Sequence, residues 1–318
     1  MQKTLITALS LLVFTICNAQ QKFTLSGTIK SKTKGETIIG ASIRTADAGT
    51  LSNEYGFYSL TLEEGKYSVE FSAVGMLSRT EEITLDKDIS LTILLEDEVK
   101  NLEGVIVTAQ SKGRSISSPQ MGVERLSTKD IRNLPVLFGE RDILKTIQLL
   151  PGIKSAGDGN SGFYVRGGAG DQNLILLDEA TVYNASHLLG FFSTFNSDAI
   201  KDMTIYKAGM PAQYGGRLSS VLDIKMNDGN NQDYNVSGGI GLISAKLNVE
   251  GPIQKDRSSF LLSGRRTYAD VFLKLSKNEE VRQNRLYFYD LNAKLNYQLN
   301  DNNRLYLSGY FGKDVLGV

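Results

Sequence analysis

Between residues 23 and 95 the chain alternates apolar and polar residues in short runs separated by Gly, Asn and charged turns. In KYSVEFSAV, Tyr67, Val69, Phe71 and Ala73 point one way and Ser68, Glu70 and Ser72 the other, the period of two that a half-buried strand requires. FYSLTL places Tyr58, Leu60 and Leu62 on one face, and ISLTILL does the same with Leu91, Ile93 and Leu95. About seven such runs in roughly 75 residues predict a Greek-key β-sandwich.

Past a polar connector the period changes. STKDIRNLP offers Ser127 as an N-cap with Asp130 at the fourth position, which predicts a short helix ending before Pro135. GERDILKTIQLLPG sets Ile143, Ile147 and Leu150 in one stripe with Leu144 beside it, a helix stopped by Pro151 and Gly152. Short strands follow at 163–166, 174–177, 203–207 and 221–226, so this stretch reads as a compact α+β domain. After Gly229 the strands lengthen to roughly ten residues, with Tyr and Phe near their ends, and about five of them fit before the last residue. Tyr287, Tyr289, Leu291 and Leu295 fall on one face, and Asp290, Asn292 and Lys294 on the other. The expected fold class is therefore mainly β and multi-domain.

Composition narrows the chemistry. Residues 1–19 read as a secretory signal peptide: Lys3 is the positive start, 5–16 the apolar stretch, and Cys17, Asn18 and Ala19 the exit. About twelve apolar residues fall short of the roughly 20 that span a bilayer as a helix. Ile16 is too bulky before Cys17 for a lipoprotein cleavage site. Cys17 is the only cysteine, so the mature chain is expected to have no disulfide, thiol nucleophile or cysteine metal site. Lys plus Arg and Asp plus Glu balance at 35 each, and no nucleic-acid partner is expected. No other segment is a candidate membrane helix, so any membrane contact is made by β-strands.

Two motifs invite enzyme chemistry and fail. GDGNSG, residues 157–162, spells G-x-G-x-x-G, but a dinucleotide loop leaves a strand and opens a helix, whereas this one leaves a helix and enters a strand. His187 is the only histidine and stands in HLLG without a Glu or second His at ligand spacing, so it reads as a loop or packing residue. No enzyme activity, cofactor or metal is expected.

GTIKSKTKGETIIGASIRT followed by SNEYGFYSL resembles the carboxypeptidase regulatory-like (transthyretin-like) module, with Gly27, Gly40–Ala41 and Gly56–Phe57 in the family's places and Ser52–Asn53 in place of Thr-Asp. FYVRGGAGDQNLILLDEATVYN and the following FFSTFNSDAIKDMTIYKAGMPAQYGGRLSSVLDIKMNDG resemble the plug domain of a TonB-dependent outer-membrane receptor. Arg166, Gly167, Asp178, Tyr214, Gly215 and Arg217 carry the motif, and Glu179 stands where the family has Gly. The resemblance implies that Arg166, Asp178 and Arg217 pair either with a polar barrel wall or within the plug itself.

That placement gives LEGVIVTA a meaning. It is similar to a TonB box, with Glu103, Val105, Ile106, Val107, Thr108 and Ala109 as its residues. An unpaired strand-former offers N–H and C=O groups to a partner's sheet edge. The alternative is a last strand of the sandwich. The resulting organisation is a signal peptide over 1–19, the sandwich over 20–97, a linker with the TonB box over 98–112, a plug over 113–229 and the start of a transmembrane β-barrel over 230–318. A receptor of this family has around 22 strands, so the chain is expected to be the N-terminal part of a longer one. The family implies TonB as inner-membrane partner, outer-membrane lipid around the strands, an extracellular nutrient as ligand, and an outer-membrane location with the sandwich and TonB box in the periplasm. The rival readings are a secreted β-sandwich adhesin or binding module, and a periplasmic plug protein without a barrel.

Overall fold

A computed structural model describes residues 22–98, 122–127, 141–157, 160–300 and 303–317. The chain forms two compact units that divide after Lys100. In the first, the alternating runs become β1(Lys22–Ser31), β2(Ser42–Arg44), β3(Gly49–Leu51), β4(Phe57–Glu63), β5(Gly65–Ser72), β6(Arg79–Leu85), β7(Ile89–Ser90) and β8(Ile93–Leu95). One sheet runs β4-β1-β7 with β8 also paired to β1, and the other runs β3-β2-β5-β6. The unit is the expected β-sandwich. Leu25, Ile29, Ile43, Val69 and Phe71 meet between its sheets, and each such burial contributes about 1.5–3 kcal/mol. The Tyr58 ring meets Phe71 edge-on at 5.6 Å, and its hydroxyl donates to Leu91 O at 2.9 Å. Burial pushes that phenol above its ordinary range.

The Ser52–Asn53 pair performs the turn chemistry of the residues it replaces. Asn53 Oδ1 accepts the N–H groups of Tyr55 and Phe57, both at 2.9 Å, while Ser52 Oγ accepts from Ala41 N at 2.8 Å. Gly56 closes the turn at φ +73°, where an added Cβ would strike Thr37.

The second unit begins with a strand that the residue pattern did not announce, β9(Val123–Ser127), paired antiparallel to a later strand. Ser127 ends this strand, and the helix expected after it lies outside the described residues. The next helix, α1(Ile143–Ile147), is shorter than its apolar stripe. Asp142 caps it by accepting from Leu144 N at 2.9 Å and Lys145 N at 3.2 Å. Beyond Ile147 the Gln148 amide donates to the carbonyls of Asn160 and Gly162, and the chain turns with Leu149 exposed. Then come β10(Ile153–Ser155), β11(Phe163–Val165), β12(Asn173–Leu177), β13(Ala180–Thr181), β14(Ser186–His187), β15(Phe192–Ser193), β16(Ile200–Tyr206) and β17(Ser220–Met226). The glycine-rich loop lies between β10 and β11, an antiparallel pair, so a strand precedes it where a helix was expected. No helix opens after it, and the dinucleotide reading stays excluded.

The central sheet of this domain runs β13-β12-β17-β16-β9, with β12 and β17 parallel and the other pairs antiparallel. All seven residues of β17 are buried. Leu222, Ile224 and Met226 face the apolar core against the helix, whereas Asp223 and Lys225 are covered on the opposite face.

Five strands follow as an antiparallel meander: β18(Asn235–Ile240), β19(Ser244–Gln254), β20(Ser258–Thr267), β21(Arg285–Gln298) and β22(Arg304–Gly317). Their burial is inverted relative to the sandwich. On β21, Asp290 is fully buried, Asn292, Lys294 and Asn296 nearly so, while Leu291, Leu295 and Tyr297 are exposed. On β20, Ser259, Ser263, Arg265 and Thr267 turn inward and Leu262 outward. The polar face of this wall packs on the α+β domain. No helix among the described residues is long and apolar enough to cross a membrane.

Candidate functional site

The seam between the α+β domain and the five-stranded wall is where the charges of this unit converge. Strand alternation dictates what the wall presents: every second residue of β20 and β21 points to the seam, and apart from Leu261 and Phe288 those residues are Ser, Thr, Arg, Asp, Asn and Lys. Burying them requires partners of opposite charge or hydrogen-bonding capacity.

At one end of the seam Lys294 Nζ lies 3.0 Å from Asp228, 3.2 Å from Asp178 and 2.9 Å from Met226 O, which accepts its hydrogen bond. Lys201 pairs with the other oxygen of Asp228 at 2.7 Å. Burial alone would raise the Asp228 carboxyl, but the ammonium groups of Lys201 and Lys294 hold it well below the usual carboxylate range. The β12–β13 turn that presents Asp178 is held in the left-handed region, φ +46° at Asp178 and +71° at Glu179. Glu179 thus adopts a conformation that favours glycine, and its carboxylate reaches Lys225 at 3.4 Å. Asp178 Oδ1 also accepts from Met226 N at 2.9 Å, tying the turn to the end of β17.

At the other end His187, on β14, is 4% exposed and engaged through both ring nitrogens. Nε2 is 2.6 Å from Asp290 and Nδ1 is 2.5 Å from Asp314. Its ring stacks on Phe288 at 4.2 Å between centroids. Arg265 grips the second oxygen of Asp290 at 2.5 and 2.9 Å and donates to Ser193 O at 2.7 Å. Between the two ends, Asn196 Nδ2 donates to Ser263 Oγ at 2.6 Å, and Lys246 pairs with Asp198 at 2.6 Å.

The motif residues thus separate. Asp178 pairs with the wall. Tyr214 donates to Asp223 at 3.0 Å inside the α+β domain. Arg166, at φ +49°, and Gly167, at φ +83°, form a tight turn, with Arg166 exposed and in no ion pair with a described residue. Gly215 and Arg217 lie in an exposed loop, where the Arg217 guanidinium donates to Gly216 O. The TonB-box residues, Glu103 and Val105 to Ala109, lie outside the described residues, as does the signal segment. Arg265 is a seam residue that sequence reading passed over, and His187 was read there only as a loop or packing residue. Their partners are 25 and 103 residues away in sequence, and no local spacing marks them.

Among the described residues no group of His, Cys, Asp or Glu is arranged to hold a metal ion. A cavity of about 270 Å³ opens beside Phe163, Asn173, Tyr183 and Arg217, and Ser161 in its lining donates to Asp142 Oδ2 at 2.9 Å. What the seam can do is mechanical: hold one domain against a wall by polar contacts that reform in water.

Residues 25–107 match the CarboxypepD_reg-like domain family, and residues 115–221 match the TonB-dependent Receptor Plug Domain family. The first match extends through Val107, across the segment expected as the TonB box. No curated protein matches the chain. Among solved structures, the siderophore receptor PirA from Acinetobacter baumannii is 21% identical, with a TM-score of 0.45, and the match covers 62% of this chain and 32% of that one. The outer membrane transporter YddB from Escherichia coli is 13% identical, TM-score 0.45, covering 61% and 33%. The FrpB iron transporter from Neisseria meningitidis is 18% identical, TM-score 0.41, covering 59% and 31%. The chain spans about a third of the length of the solved structures it matches.

Proposed function

Because the chain carries a CarboxypepD_reg-like domain and, after it, a TonB-dependent receptor plug domain, we propose that it is the N-terminal part of an outer-membrane receptor that imports a scarce nutrient when TonB pulls on its plug. The observation that carries the reading is the plug-family match over 115–221. The inverted burial of β19 to β21 supports it, since a strand with a polar buried face and an apolar exposed face suits a barrel wall in lipid and no water-soluble sheet.

The proposed organisation keeps the boundaries read from sequence: signal peptide 1–19, sandwich 20–97, linker 98–112, plug 113–229 and first barrel strands 230–318. The sandwich and linker face the periplasm. Glu103, Val105, Ile106, Val107, Thr108 and Ala109 serve as the TonB box, which adds as a strand to TonB's sheet so that force reaches the plug through the linker. The plug motif residues Arg166, Gly167, Asp178, Tyr214, Gly215 and Arg217 shape and dock the plug, and none is catalytic. The adhesin reading leaves the plug match unexplained, and a barrel-less plug protein leaves the outward leucines of β21 and β22 in water.

The test is capture of the full receptor by the periplasmic domain of TonB. Native protein should bind. Val107→Pro, which removes a ladder hydrogen bond, should lose capture and ligand uptake together while the protein still fractionates with the outer membrane. Unchanged capture and uptake in that variant would remove the proposed handle.

A further inference from the structure

The outward face of the wall is apolar except at one end. Across β19, β20 and β21 it carries no carboxylate, and its charges are Arg266 of β20 and Arg285 of β21. Residues directly opposite each other on neighbouring strands share a face. Arg266 lies opposite Tyr289, and Tyr289 opposite Lys313 of β22, so the register sets a cation, a ring and a cation in one row across three strands. β20 and β21 each have a strand on both sides, so their outward face is complete whatever else joins the sheet.

Two arginines of this sheet stack on tyrosines, and the sheet uses them differently. Arg257 lies 5.5 Å from the centre of the Tyr297 ring and donates to Gln298 O and Leu299 O, both at 3.1 Å. It clasps a turn. Arg266 lies 4.9 Å from the centre of the Tyr287 ring, and its guanidinium makes no hydrogen bond or ion pair with a described residue. In the adjoining connection Glu279 pairs with Arg282 instead. Stacking holds the face of a guanidinium, but it leaves the N–H edge to be satisfied from outside the protein.

Tyr287 and Tyr297 stand ten residues apart on the outward face of β21, roughly 33 Å along the strand. At a strand tilt of about 40° this spans about 25 Å in height, the depth of the apolar band of a membrane barrel. The two rings therefore mark the edges of that band, where a cation costs far less than at its middle. The connection beyond Arg266, residues 268–284, is long beside the connections 255–257 and 299–303 at the other edge. Barrels carry their longer loops on the outer side, which sets Arg266 level with the headgroups of the outer leaflet. Phosphate is the charge a lipid surface presents at that depth, and it is the acceptor that a guanidinium fork takes in bidentate fashion.

We propose that Arg266, oriented by Tyr287 and flanked by Arg285 and Lys313, binds the phosphate of an outer-leaflet lipid. The site rests on the reading of β19 to β21 as a wall in lipid. It adds to that reading a class of lipid held at one corner of the wall.

The test offers the full receptor, purified in nonionic detergent, lipid A with its phosphates or the same lipid dephosphorylated, and counts retained lipid by native mass spectrometry. The native receptor should hold the phosphorylated form and release the other. Arg266→Gln should lower that retention several-fold. Tyr287→Leu, which removes the stack and no charge, should lower it less, and Arg257→Gln at the opposite edge should leave it unchanged. Should Arg266→Gln fail to assemble, Arg285→Gln combined with Lys313→Gln carries the same expectation. Equal retention of both lipids, native retention in the Arg266 variant, or an equal loss in Arg257→Gln overturns the site. Excess inorganic phosphate should leave the lipid bound, and displacement by it would overturn the lipid assignment in favour of a free anion. A fluorophore in place of Leu262, which is 51% exposed on the outward face of β20, should be quenched by brominated lipid in the membrane-inserted receptor. No quenching there would remove the wall reading itself, an outcome distinct from a quenched wall that ignores phosphate.

Discussion

Strands β5 and β21 carry the same alternation and bury opposite faces of it. On β5, Val69 and Phe71 are fully buried and Ser68 and Glu70 look out. On β21, Asp290, Asn292 and Lys294 are buried and Leu291 and Leu295 look out. The period of two makes both segments strands, but it does not say which face finds a partner. In the sandwich the partner is a second apolar sheet, and the stabilising term is area removed from water. At the wall the partner is a domain whose own polar groups, Asp178, Asp228 and His187, are set opposite Lys294, Asp290 and Asp314. Stability there depends on each charge being matched, because a buried ion without its partner costs several kcal/mol.

The contrast can be broken most forcefully in the sandwich. Val69→Asp puts a carboxylate where no partner exists and should cost about 4 kcal/mol or more, seen as loss of the sandwich's unfolding transition in thermal melts followed by circular dichroism. Lys294→Ala is the matching change at the wall. It leaves Asp178 and Asp228 buried without their shared cation and should weaken plug docking by about 3–5 kcal/mol, read as faster proteolysis of the plug with the outward face of the wall still in lipid. A smaller pair sharpens the difference between outward faces. Leu291→Lys should cost about 2–4 kcal/mol in a bilayer, whereas Ser68→Lys on the sandwich should stay within about 0.5 kcal/mol, both measured as refolding free energies into lipid.

The mildest probe is acid. The Asp228 carboxyl is held below its ordinary range in the folded chain, because Lys201 and Lys294 outweigh the penalty of its burial. A depressed folded pKa means that its stabilisation is complete above the unfolded value, about 3.9, and is lost as pH falls below it. Docking at this end of the seam should therefore be level from neutral pH down to about 4 and decline only beneath that, monitored by amide exchange at Met226.

Much of this was legible in the residues. Strands β4, β5, β8 and β16 to β22 follow alternating runs, and the inward and outward sets on β21 were read correctly from Leu291, Leu295, Asp290, Asn292 and Lys294. What failed was what depends on distant partners. VERLS at β9 is too short to announce itself, and it is a strand because β16 offers an edge 79 residues away. The helix at Ile143 stops early because Gln148 bonds to Asn160 and Gly162, which no local periodicity encodes. Of the three charges expected to bind either wall or plug, Asp178 meets the wall, while Arg166 and Arg217 stay exposed. His187, read as a loop or packing residue, does stack on Phe288, but its contacts to Asp290 and Asp314 were not foreseen, since those partners come from strands read separately.

The central claim is that β19 to β21 turn their polar face to the plug and their apolar face to lipid. Single cysteines at successive positions from Tyr289 to Asn296, each carrying a fluorophore in the membrane-inserted receptor and tested with brominated lipid, examine it most directly. Quenching that alternates, strong at 289, 291, 293 and 295 and weak at 290, 292, 294 and 296, is the result expected. Uniform quenching, or the reverse alternation, would contradict the account.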